Sequence, residues 1–315
     1  MSLGGESRRE TLTAIADRYQ IPFEDIALAP APGSANDVYF LGEHLVLRIP
    51  RGAGARYAEL AKEATVIPVA RRAGVRTPAV ATYDDSCTVV GVPYLVVERV
   101  RGRDLAALGT PPAFAADAYE EVGRSLARLH QLTRRLTGPL PGVGVMDEDD
   151  PRPAVASLAE EGYIDLDAAR WLLGWFDRLA GWRPPDVEPV VLHGDASPTN
   201  IVVEGTSGRL AGLVDWGDAA WGDPALDFAK LPLRAVPFAL DGYLAGVPDR
   251  VRDDAVRAWS ARVLWYHLAW ALHRLPQDPG ARRSERVWTA PPASRLLEIL
   301  RFFAESPPEP WPSLA

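Results

Sequence analysis

Residues 190–229 read VVLHGDASPTNIVVEGTSGRLAGLVDWGDAAWGDPALDFA. A short apolar run leads into a tight turn that presents Asp195 on a loop, and a second apolar run begins directly after Asn200. The glycine-containing turn at 205–208 reverses the chain, and a third apolar run returns to Asp215. This hairpin predicts that Asp195, Asn200 and Asp215 converge at one end of it.

These three side chains form the oxygen-rich set that phosphoryl transfer requires. The carboxylate of Asp195 can orient an acceptor hydroxyl and take its proton. The amide of Asn200 and the carboxylate of Asp215 offer hard oxygen ligands, which suit Mg²⁺ on nucleotide phosphates. An aspartate, an asparagine five residues later and a second aspartate after one hairpin match the catalytic loop and the metal-binding aspartate of protein kinases.

Three motifs occur together in this part of the chain: H-G-D-x-x-x-x-N at 193–200, V-D-W at 214–216 and G-D-P-x-x-D at 222–227. Taken jointly, they resemble the aminoglycoside phosphotransferase and choline kinase group, the small-molecule relatives of the protein kinases. The resemblance implies an α+β, bilobal protein-kinase-like fold with a small antiparallel-sheet lobe and a larger, mostly helical lobe. We therefore expect a nucleotide-binding lobe at residues 1–99 and a helical lobe with the catalytic loop and acceptor site at residues 100–315.

The patterning of the first hundred residues indicates strands around a helix, whereas the later residues indicate helices. The expected N-terminal elements are a hairpin at 38–49, a helix at 55–73 and a hairpin at 87–97. The expected C-terminal helices lie at 113–134, 166–179 and 255–275. We expect the proline-rich segment at 306–312 to be a tail.

The resemblance also implies a nucleotide site in the N-terminal lobe. Small residues in the loop that includes Ser34 and Asn36 would let backbone N–H groups approach phosphate. Glu98 and Val100 lie in the segment that resembles the hinge, whose backbone holds the purine. The expected cofactors are ATP or GTP, between which the sequence does not distinguish, together with Mg²⁺.

One position departs from the family pattern. Arg48 stands on the strand where the family usually has lysine; it keeps the positive charge and can bind two phosphate oxygens, but it is larger. Glu63 on the following helix is its expected partner, and Glu59, one turn earlier on the same face, is the alternative. The competing interpretation of Arg48 is an exposed strand residue that simply precedes Arg51.

Other residues near the motifs admit structural roles. His193 is expected to be a buried, hydrogen-bonded side chain and not a proton carrier. Asp223 and Asp227 are interpreted as residues that cap a helix or brace a loop. Three aromatic residues at helical spacing either fill the core or line the acceptor pocket: Trp265, Tyr266 and Trp270.

Composition and charge argue against several classes of protein. The 315 residues are 47% hydrophobic and 24% charged, as in ordinary globular proteins. The 42 acidic and 34 basic residues give a net charge of -8, which argues against binding to nucleic acid or an anionic membrane through overall charge. The single cysteine, Cys87, cannot form an internal disulfide, and neither a secretory signal nor a membrane-spanning run is recognisable. We therefore expect a cytoplasmic protein.

The expected function is Mg²⁺-dependent transfer of the γ-phosphoryl group of a nucleotide to a hydroxyl of a small molecule. The chain after Asp215 lacks the D-F-G and A-P-E motifs of protein kinases, so the acceptor is not expected to be a protein. The resemblance implies an antibiotic acceptor first, either an aminoglycoside or a macrolide, and hence a role in resistance. A choline-, ethanolamine- or sugar-type metabolite comes second, and an inactive nucleotide-binding module comes third.

Overall fold

The computed structural model describes residues 5–29, 35–146, 150–184, 186–205, 208–276 and 292–314. The strands are β1 (Ile26–Leu28), β2 (Asn36–Leu41), β3 (Leu45–Pro50), β4 (Val80–Asp84), β5 (Tyr94–Glu98), β6 (Arg103–Asp104), β7 (Val190–Leu192), β8 (Ile201–Val203), β9 (Leu210–Leu213) and β10 (Ala220–Gly222). The helices are α1 (Gly5–Ala16), α2 (Ala55–Arg72), α3 (Leu105–Leu108), α4 (Ala116–Leu129), α5 (Arg134–Thr137), α6 (Arg152–Glu160), α7 (Leu166–Ala180), α8 (Val236–Tyr243), α9 (Asp249–Arg274) and α10 (Pro292–Ala304). The expected α+β fold, with a small antiparallel sheet and a larger helical part, is confirmed.

The N-terminal sheet is antiparallel and has the strand order β1-β2-β3-β5-β4. The predicted hairpin at 38–49 is confirmed: β2 pairs with β3, with Val38 opposite Arg48, and Gly42 in the connecting turn has φ 57°. β3 also pairs with β5, with Leu45 opposite Glu98. The register therefore carries Arg48 into the middle of the sheet, between β2 and β5.

The hairpin predicted at 87–97 is wrong in its first strand. The partner of β5 is β4, Val80–Asp84, and the residues between β4 and β5 form no strand. Asp84 ends the strand because its carboxylate accepts hydrogen bonds from the backbone N–H and the hydroxyl of Ser86. Cys87 then has a φ of 54°, which a β-strand cannot accommodate.

The two faces of the N-terminal sheet are buried by different partners. α1 covers one face, where Leu12 and Ile15 pack among strand residues such as Leu41 and Leu47. α2, which confirms the helix predicted at 55–73, covers the other side and joins a core that continues into the helical part. A boundary at residue 99 stays a prediction, because this core extends across it.

The helical part is built around a close pair of helices, α4 and α8. Gly123 on α4 and Gly242 on α8 permit the approach: a Cβ atom on Gly123 would lie 1.9 Å from the carbonyl oxygen of Ala239. The helices predicted at 113–134, 166–179 and 255–275 correspond to α4, α7 and α9, although α4 is shorter and α9 begins earlier. Within the described ranges, no helix is both long and apolar enough to cross a membrane.

The C-terminal segment predicted as a tail is instead part of the core. Trp311 is 1% exposed and packs edge-on against Phe302 of α10. The carbonyl oxygen of Leu314 accepts a hydrogen bond of 2.7 Å from Nε1 of the buried Trp175. The prolines favour a tail, but the large apolar area that Trp311 buries holds this segment against the core.

Candidate active site

A cleft of about 570 Å³ lies between the N-terminal sheet and the loops that follow β7 and β9. Asp195, Asn200 and Asp215 all line it, so the structure brings the three predicted side chains together. β8 pairs with β9, and the N–H of Val214 donates to the carbonyl oxygen of Asn200 at 3.0 Å. This pairing sets Asp215 beside Asn200, as the sequence pattern predicts.

The loop that carries Asp195 is tied to its own neighbours. Nδ2 of Asn200 donates to the main-chain oxygen of Asp195 at 2.9 Å and to its Oδ2 at 2.8 Å. Because the amide nitrogen points toward Asp195, the amide oxygen remains for another ligand. The N–H of Asp195 donates to Nδ1 of His193 at 3.3 Å. His193 is fully buried against Trp216, with ring centroids 4.4 Å apart, which agrees with a structural role.

The turn before Asp195 depends on a glycine and a buried carboxylate. Gly194 has φ 81°, and a Cβ atom there would lie 2.0 Å from the carbonyl oxygen of Asp218. Asp227 accepts hydrogen bonds from the N–H groups of His193 and Gly194, at 2.9 and 2.8 Å, and contacts Nε2 of His130 at 3.0 Å. Burial alone would raise the pKa of Asp227, but these hydrogen bonds lower it below its usual value.

The first aspartate of the G-D-P-x-x-D motif, Asp223, also contacts structural groups. Asp223 caps a 3₁₀ helix, Pro224–Lys230, by accepting the N–H of Ala225 at 2.8 Å. It also accepts a hydrogen bond from Arg262 and one of 3.0 Å from the hydroxyl of Tyr266. These contacts agree with the bracing role that the sequence suggests for both motif aspartates.

Arg48 connects the N-terminal sheet to the end of the β8–β9 hairpin. Its guanidinium donates to Glu63 and, at 2.7 Å, to Oδ1 of Asp215. The side chain of Arg48 is 13% exposed and that of Glu63 only 2%, so this ion pair is largely shielded from water. Glu59 instead pairs with Arg56 at 3.0 Å, which leaves Glu63 as the partner of Arg48.

The charges around Arg48 shift the ionisation of their neighbours. Burial raises the pKa of Glu63 to about 7, although the Arg48 guanidinium opposes that rise. Burial would lower the pKa of Arg48, but Glu63 and Asp215 raise it above its usual value. Arg48 is therefore a permanent cation at this point of the cleft. Asp215 has φ 67°, a left-handed backbone conformation that a non-glycine residue adopts at some cost.

Three of the predicted nucleotide-binding residues outside the Arg48–Glu63 pair line the cleft: Asn36, Glu98 and Val100. Asn36 begins β2, is buried and lines the cleft; within the described ranges its Oδ1 has no hydrogen-bond partner. Ser34 lies outside the described residues. The carboxylate of Glu98 accepts a hydrogen bond from the N–H of Ala79 at 3.0 Å, and the N–H of Glu98 donates to the carbonyl oxygen of Ala79 at 2.8 Å. The N–H of Val100 donates to no backbone oxygen in the part of the chain that the structure describes.

The aromatic residues of α9 divide between the core and the cleft. Trp265 and Tyr266 are 1% and 4% exposed and belong to the core. Trp270 is half-buried and lines the cleft. The core interpretation thus holds for Trp265 and Tyr266, whereas a role of Trp270 in the acceptor pocket stays a prediction.

Several charged side chains of the cleft were not predicted from the sequence, among them Asp218, Lys230, Arg274 and Arg295. Two of them have local signals, since Asp218 ends the D-W-G-D run and Lys230 follows the last motif aspartate by three residues. Partial exclusion from solvent and the carboxylate of Asp195 raise the pKa of Asp218. Arg274 and Arg295 belong to no motif, and only the packing of α9 against α10 brings them together.

The polar groups that line the cleft suit both Mg²⁺ and a nucleotide, the two components that phosphoryl transfer needs. Asn200 and Asp215 offer an amide oxygen and a carboxylate, which are ligands that Mg²⁺ accepts. Among the described residues, no group of three or more His, Cys, Asp or Glu side chains could hold a metal ion. A Mg²⁺ ion held by only two protein ligands must complete its shell with water and phosphate oxygens. The orphaned Oδ1 of Asn36 and the N–H of Val100 are polar groups that a nucleotide can satisfy.

Comparison with known proteins gives one family and several relatives. The model of the phosphotransferase enzyme family matches residues 27–265. Acyl-CoA dehydrogenase family member 11 of Rattus norvegicus is 26% identical over 179 residues, which cover 51% of this chain but 21% of that protein. The chain therefore spans about a fifth of the length of this relative. Aminoglycoside 3'-phosphotransferase of Streptomyces fradiae is 30% identical over 196 residues, 57% of this chain and 66% of that protein.

A solved structure has the same fold. The complex of APH(2")-IIIa with GDP and kanamycin superposes with a TM-score of 0.63 and covers 94% of this chain and 98% of that chain. The sequence identity is 19%, so the likeness concerns the fold. The two chains thus share their overall fold.

Proposed function

The chain belongs to the phosphotransferase enzyme family, and from this membership we propose that it transfers the γ-phosphoryl group of a nucleoside triphosphate to a hydroxyl of a small molecule. One observation carries the proposal: Asp195, Asn200 and Asp215 meet in one cleft, opposite the buried Arg48–Glu63 pair. A proton acceptor, two oxygen ligands and a fixed cation are the parts that this reaction uses.

Asp195 is the proposed catalytic carboxylate. Asn200 holds one of its oxygens, so the carboxylate has a fixed orientation before an acceptor arrives. It accepts the proton of the acceptor hydroxyl as that oxygen bonds to the γ-phosphorus. The bond from the γ-phosphorus to the bridging oxygen breaks, and the nucleoside diphosphate leaves with the electron pair.

The nucleotide is proposed to lie between the sheet and the catalytic hairpin. Val38, Phe40 and Val46 give this part of the cleft an apolar wall against which a purine can pack. The main chain at Glu98 and Val100 is the proposed hinge contact, and ATP and GTP are both accommodated by this proposal. The interaction of Asn36 with the nucleotide would satisfy its buried Oδ1.

Asn200 and Asp215 are the proposed ligands of Mg²⁺, which when bound neutralises phosphate charge. Arg48 is proposed to contact the phosphates from the opposite side. Its pairing with Glu63 and Asp215 orients the guanidinium and limits its motion. A lysine in this position would supply the same charge from a single nitrogen, without the planar fork of donors that arginine presents.

An antibiotic hydroxyl stays the acceptor predicted from sequence, with a role in resistance as its consequence. Two matches support an aminoglycoside: the Streptomyces fradiae relative is an aminoglycoside 3'-phosphotransferase, and one structural neighbour is a complex with kanamycin. Choline-, ethanolamine- and sugar-type acceptors are the alternatives, because the first match is 30% identical over 66% of that protein and the second is 19% identical.

A nucleotide-consumption assay tests the proposal. The purified protein is supplied with Mg²⁺ and ATP or GTP, and with single acceptors that include aminoglycosides, macrolides, choline, sugars and hydroxy acids. We expect acceptor-dependent release of nucleoside diphosphate that Asp195→Asn reduces by about 10²- to 10⁴-fold, the range for one positioned general base. Binding of Mg²⁺-nucleotide should survive this substitution. Near-normal turnover of Asp195→Asn, or failure of the wild-type protein to bind nucleotide, would contradict the proposal.

A further inference from the structure

Three cations surround one tryptophan on the helical side of the cleft. Nζ of Lys230 lies 4.4 Å from the centroid of the Trp270 ring, and Cζ of Arg295 lies 4.1 Å from it. Cζ of Arg274 lies 5.2 Å from the same ring. We call these four residues the basic shelf; all of them line the cleft that also holds Asp195.

The basic shelf is assembled from three elements. Lys230 ends the 3₁₀ helix Pro224–Lys230, which begins at the bracing Asp223. Trp270 and Arg274 lie one turn apart on α9, and Arg295 lies in α10, which packs against α9. These elements also carry core residues, so the shelf stands on a rigid support.

The shelf is close to the proposed catalytic carboxylate. Lys230 and Arg295 each lie near enough for the charge of Asp195 to act on their ionisation. The shelf therefore borders the place where the proposed acceptor hydroxyl would sit, and it belongs to other elements than the strand residues Val38 and Val46 that line the same cleft.

Gathering these cations has an electrostatic cost. Burial lowers the pKa of Lys230 and that of Arg295, the latter to about 10, and the cations of the shelf act on one another in the same direction. Arg295 nevertheless remains charged at neutral pH. Glu298 lies 3.8 Å from Arg295 on the same helix, and Lys230 makes no hydrogen bond or ion pair among the residues that the structure describes. Such a cluster is relieved when an anion binds to it.

We propose that the acceptor carries an anionic group, a carboxylate or a phosphate, which binds to Lys230, Arg274 and Arg295 while its hydroxyl lies at Asp195. This inference rests on the proposed phosphotransfer and names the substrate class for the same cleft. Arginine and lysine side chains are the usual partners of both anions. The hydrocarbon part of such an acceptor can pack on the half-buried Trp270.

The proposal disfavours a polycationic acceptor. An aminoglycoside would bring several ammonium groups toward three fixed cations, and like charges in a partly desolvated cleft repel one another. Asp195 and Asp218 offset part of this repulsion, but Asp195 is committed to the acceptor hydroxyl. The whole chain has a net charge of -8, but the basic shelf is locally rich in positive charge.

Matched acceptor pairs test the proposal. Glycerol 3-phosphate is compared with glycerol, and 6-hydroxyhexanoate with 1,6-hexanediol, in the nucleotide-consumption assay, with kanamycin as the polycationic arm. We expect kcat/KM to be at least about tenfold higher for the anionic member of a pair. The phosphate pair and the carboxylate pair together show which anion the shelf prefers. Equal use of the neutral members, or preferential use of kanamycin, would overturn the proposal.

Substitutions in the shelf provide the second arm. Lys230→Met and Arg295→Met should raise KM for an anionic acceptor by about 10- to 100-fold, the loss expected for one charge-assisted contact, and change KM for nucleotide by less than about twofold. Arg301→Met is the matched control, because Arg301 is an exposed arginine of the same helix and should leave both constants unchanged. A rise in KM for nucleotide alone would mean that these cations contact the phosphates of the nucleotide, and the proposal would be wrong.

A binding measurement separates this inference from the proposed function. Glycerol 3-phosphate and 6-hydroxyhexanoate are titrated by calorimetry into the protein saturated with Mg²⁺ and nucleoside diphosphate. Binding that Lys230→Met weakens supports the shelf even if turnover is not detected. Normal nucleotide binding and turnover of neutral or cationic acceptors, without binding of either anion, would reject the shelf and leave the proposed phosphotransfer intact.

Discussion

At the scale of single residues, Arg48 is the side chain on which the site's charge balance depends. It is bonded both to the buried Glu63 and to Asp215, so its removal leaves two carboxylates without their cation. We expect Arg48→Ala to lower kcat/KM for nucleotide by about 10²- to 10³-fold, the usual cost of one preorganised electrostatic contact. Arg48→Lys should retain part of the activity because the charge survives. Steady-state kinetics with nucleotide as the varied substrate measures both effects.

Arg51 is the control for Arg48. It directly follows β3, and it pairs with Asp37 at 2.6 Å outside the cleft. Arg51→Ala should stay within about threefold of wild type, as surface ion pairs contribute little. The melting temperature of every variant must be recorded, because breaking a buried ion pair alone costs about 3–5 kcal/mol. A silent Arg48→Ala beside a damaging Arg51→Ala would contradict the assignment of this strand.

A second prediction at the residue scale concerns the metal ligands. Asp215→Asn should raise the Mg²⁺ concentration needed for half-maximal activity by at least roughly tenfold, because an amide binds the ion more weakly than a carboxylate. Asn200→Ala should act in the same direction but less strongly. Asp218→Asn, three residues away in the same cleft, is the control and should leave the Mg²⁺ titration unchanged. A shift for Asp218→Asn and none for Asp215→Asn would reassign the ligand.

At the scale of elements, the buried Asp227 fixes the turn between β7 and the catalytic loop. Its two backbone hydrogen bonds and its contact with His130 lower its pKa, so the ionised form stabilises the folded state. This stabilisation is complete above the unfolded pKa of about 3.9 and is lost as the pH falls through the lower folded pKa. We expect Asp227→Asn to reduce stability at pH 7 by about 3–5 kcal/mol and to flatten the decline below about pH 4. Denaturant titrations across pH measure both changes.

The control for Asp227 is Asp165, which caps α7 by accepting the N–H of Ala168 at 2.7 Å near the surface. Asp165→Asn should cost well under about 1 kcal/mol, since asparagine is an equally good capping residue. Equal losses for Asp227→Asn and Asp165→Asn would show that Asp227 is no special brace.

The sequence predicts elements well where the signal is local. The catalytic hairpin is contained in one contiguous stretch, so the spacing of Asp195, Asn200 and Asp215 could be converted into proximity. Strand pairing is less predictable. The hairpin partner of β5 is β4 and not residues 87–90, because Asp84 ends the preceding strand through its hydrogen bonds to Ser86. The basic shelf could not be predicted at all, since packing between separate elements creates it.

At the scale of the whole molecule, the sheet and the helical part share one core. Leu60 of α2 and Leu95 of β5 belong to the same buried cluster as Trp216 and the helices behind it. The N–H of Leu213 also donates to the carbonyl oxygen of Arg76 at 2.8 Å, which ties β9 to the segment that precedes β4. The Arg48–Asp215 pair spans the same junction, so the geometry of the cleft depends on this shared core.

The shared core leads to a prediction about cooperativity. Nε1 of the fully buried Trp216 donates to the hydroxyl of Thr77 at 2.9 Å and also lies 3.3 Å from the carbonyl oxygen of Leu213. Thr77→Val keeps the shape of the side chain and removes this acceptor, which should cost about 1–3 kcal/mol. We expect calorimetry to show one unfolding transition for the wild-type protein and one, at lower temperature, for Thr77→Val. The two parts must melt together because neither can bury its share of the core alone.

Thr82→Val is the matched control, because the hydroxyl of Thr82 makes an exposed hydrogen bond of 2.8 Å to the carbonyl oxygen of the preceding Ala81. It should change stability by less than about 0.5 kcal/mol. Two resolved transitions, only one of which responds to Thr77→Val, would mean that the sheet and the helical part unfold independently. In that case the position of Arg48 over Asp215 would be set by their ion pair, and Arg48→Ala should then separate the transitions further.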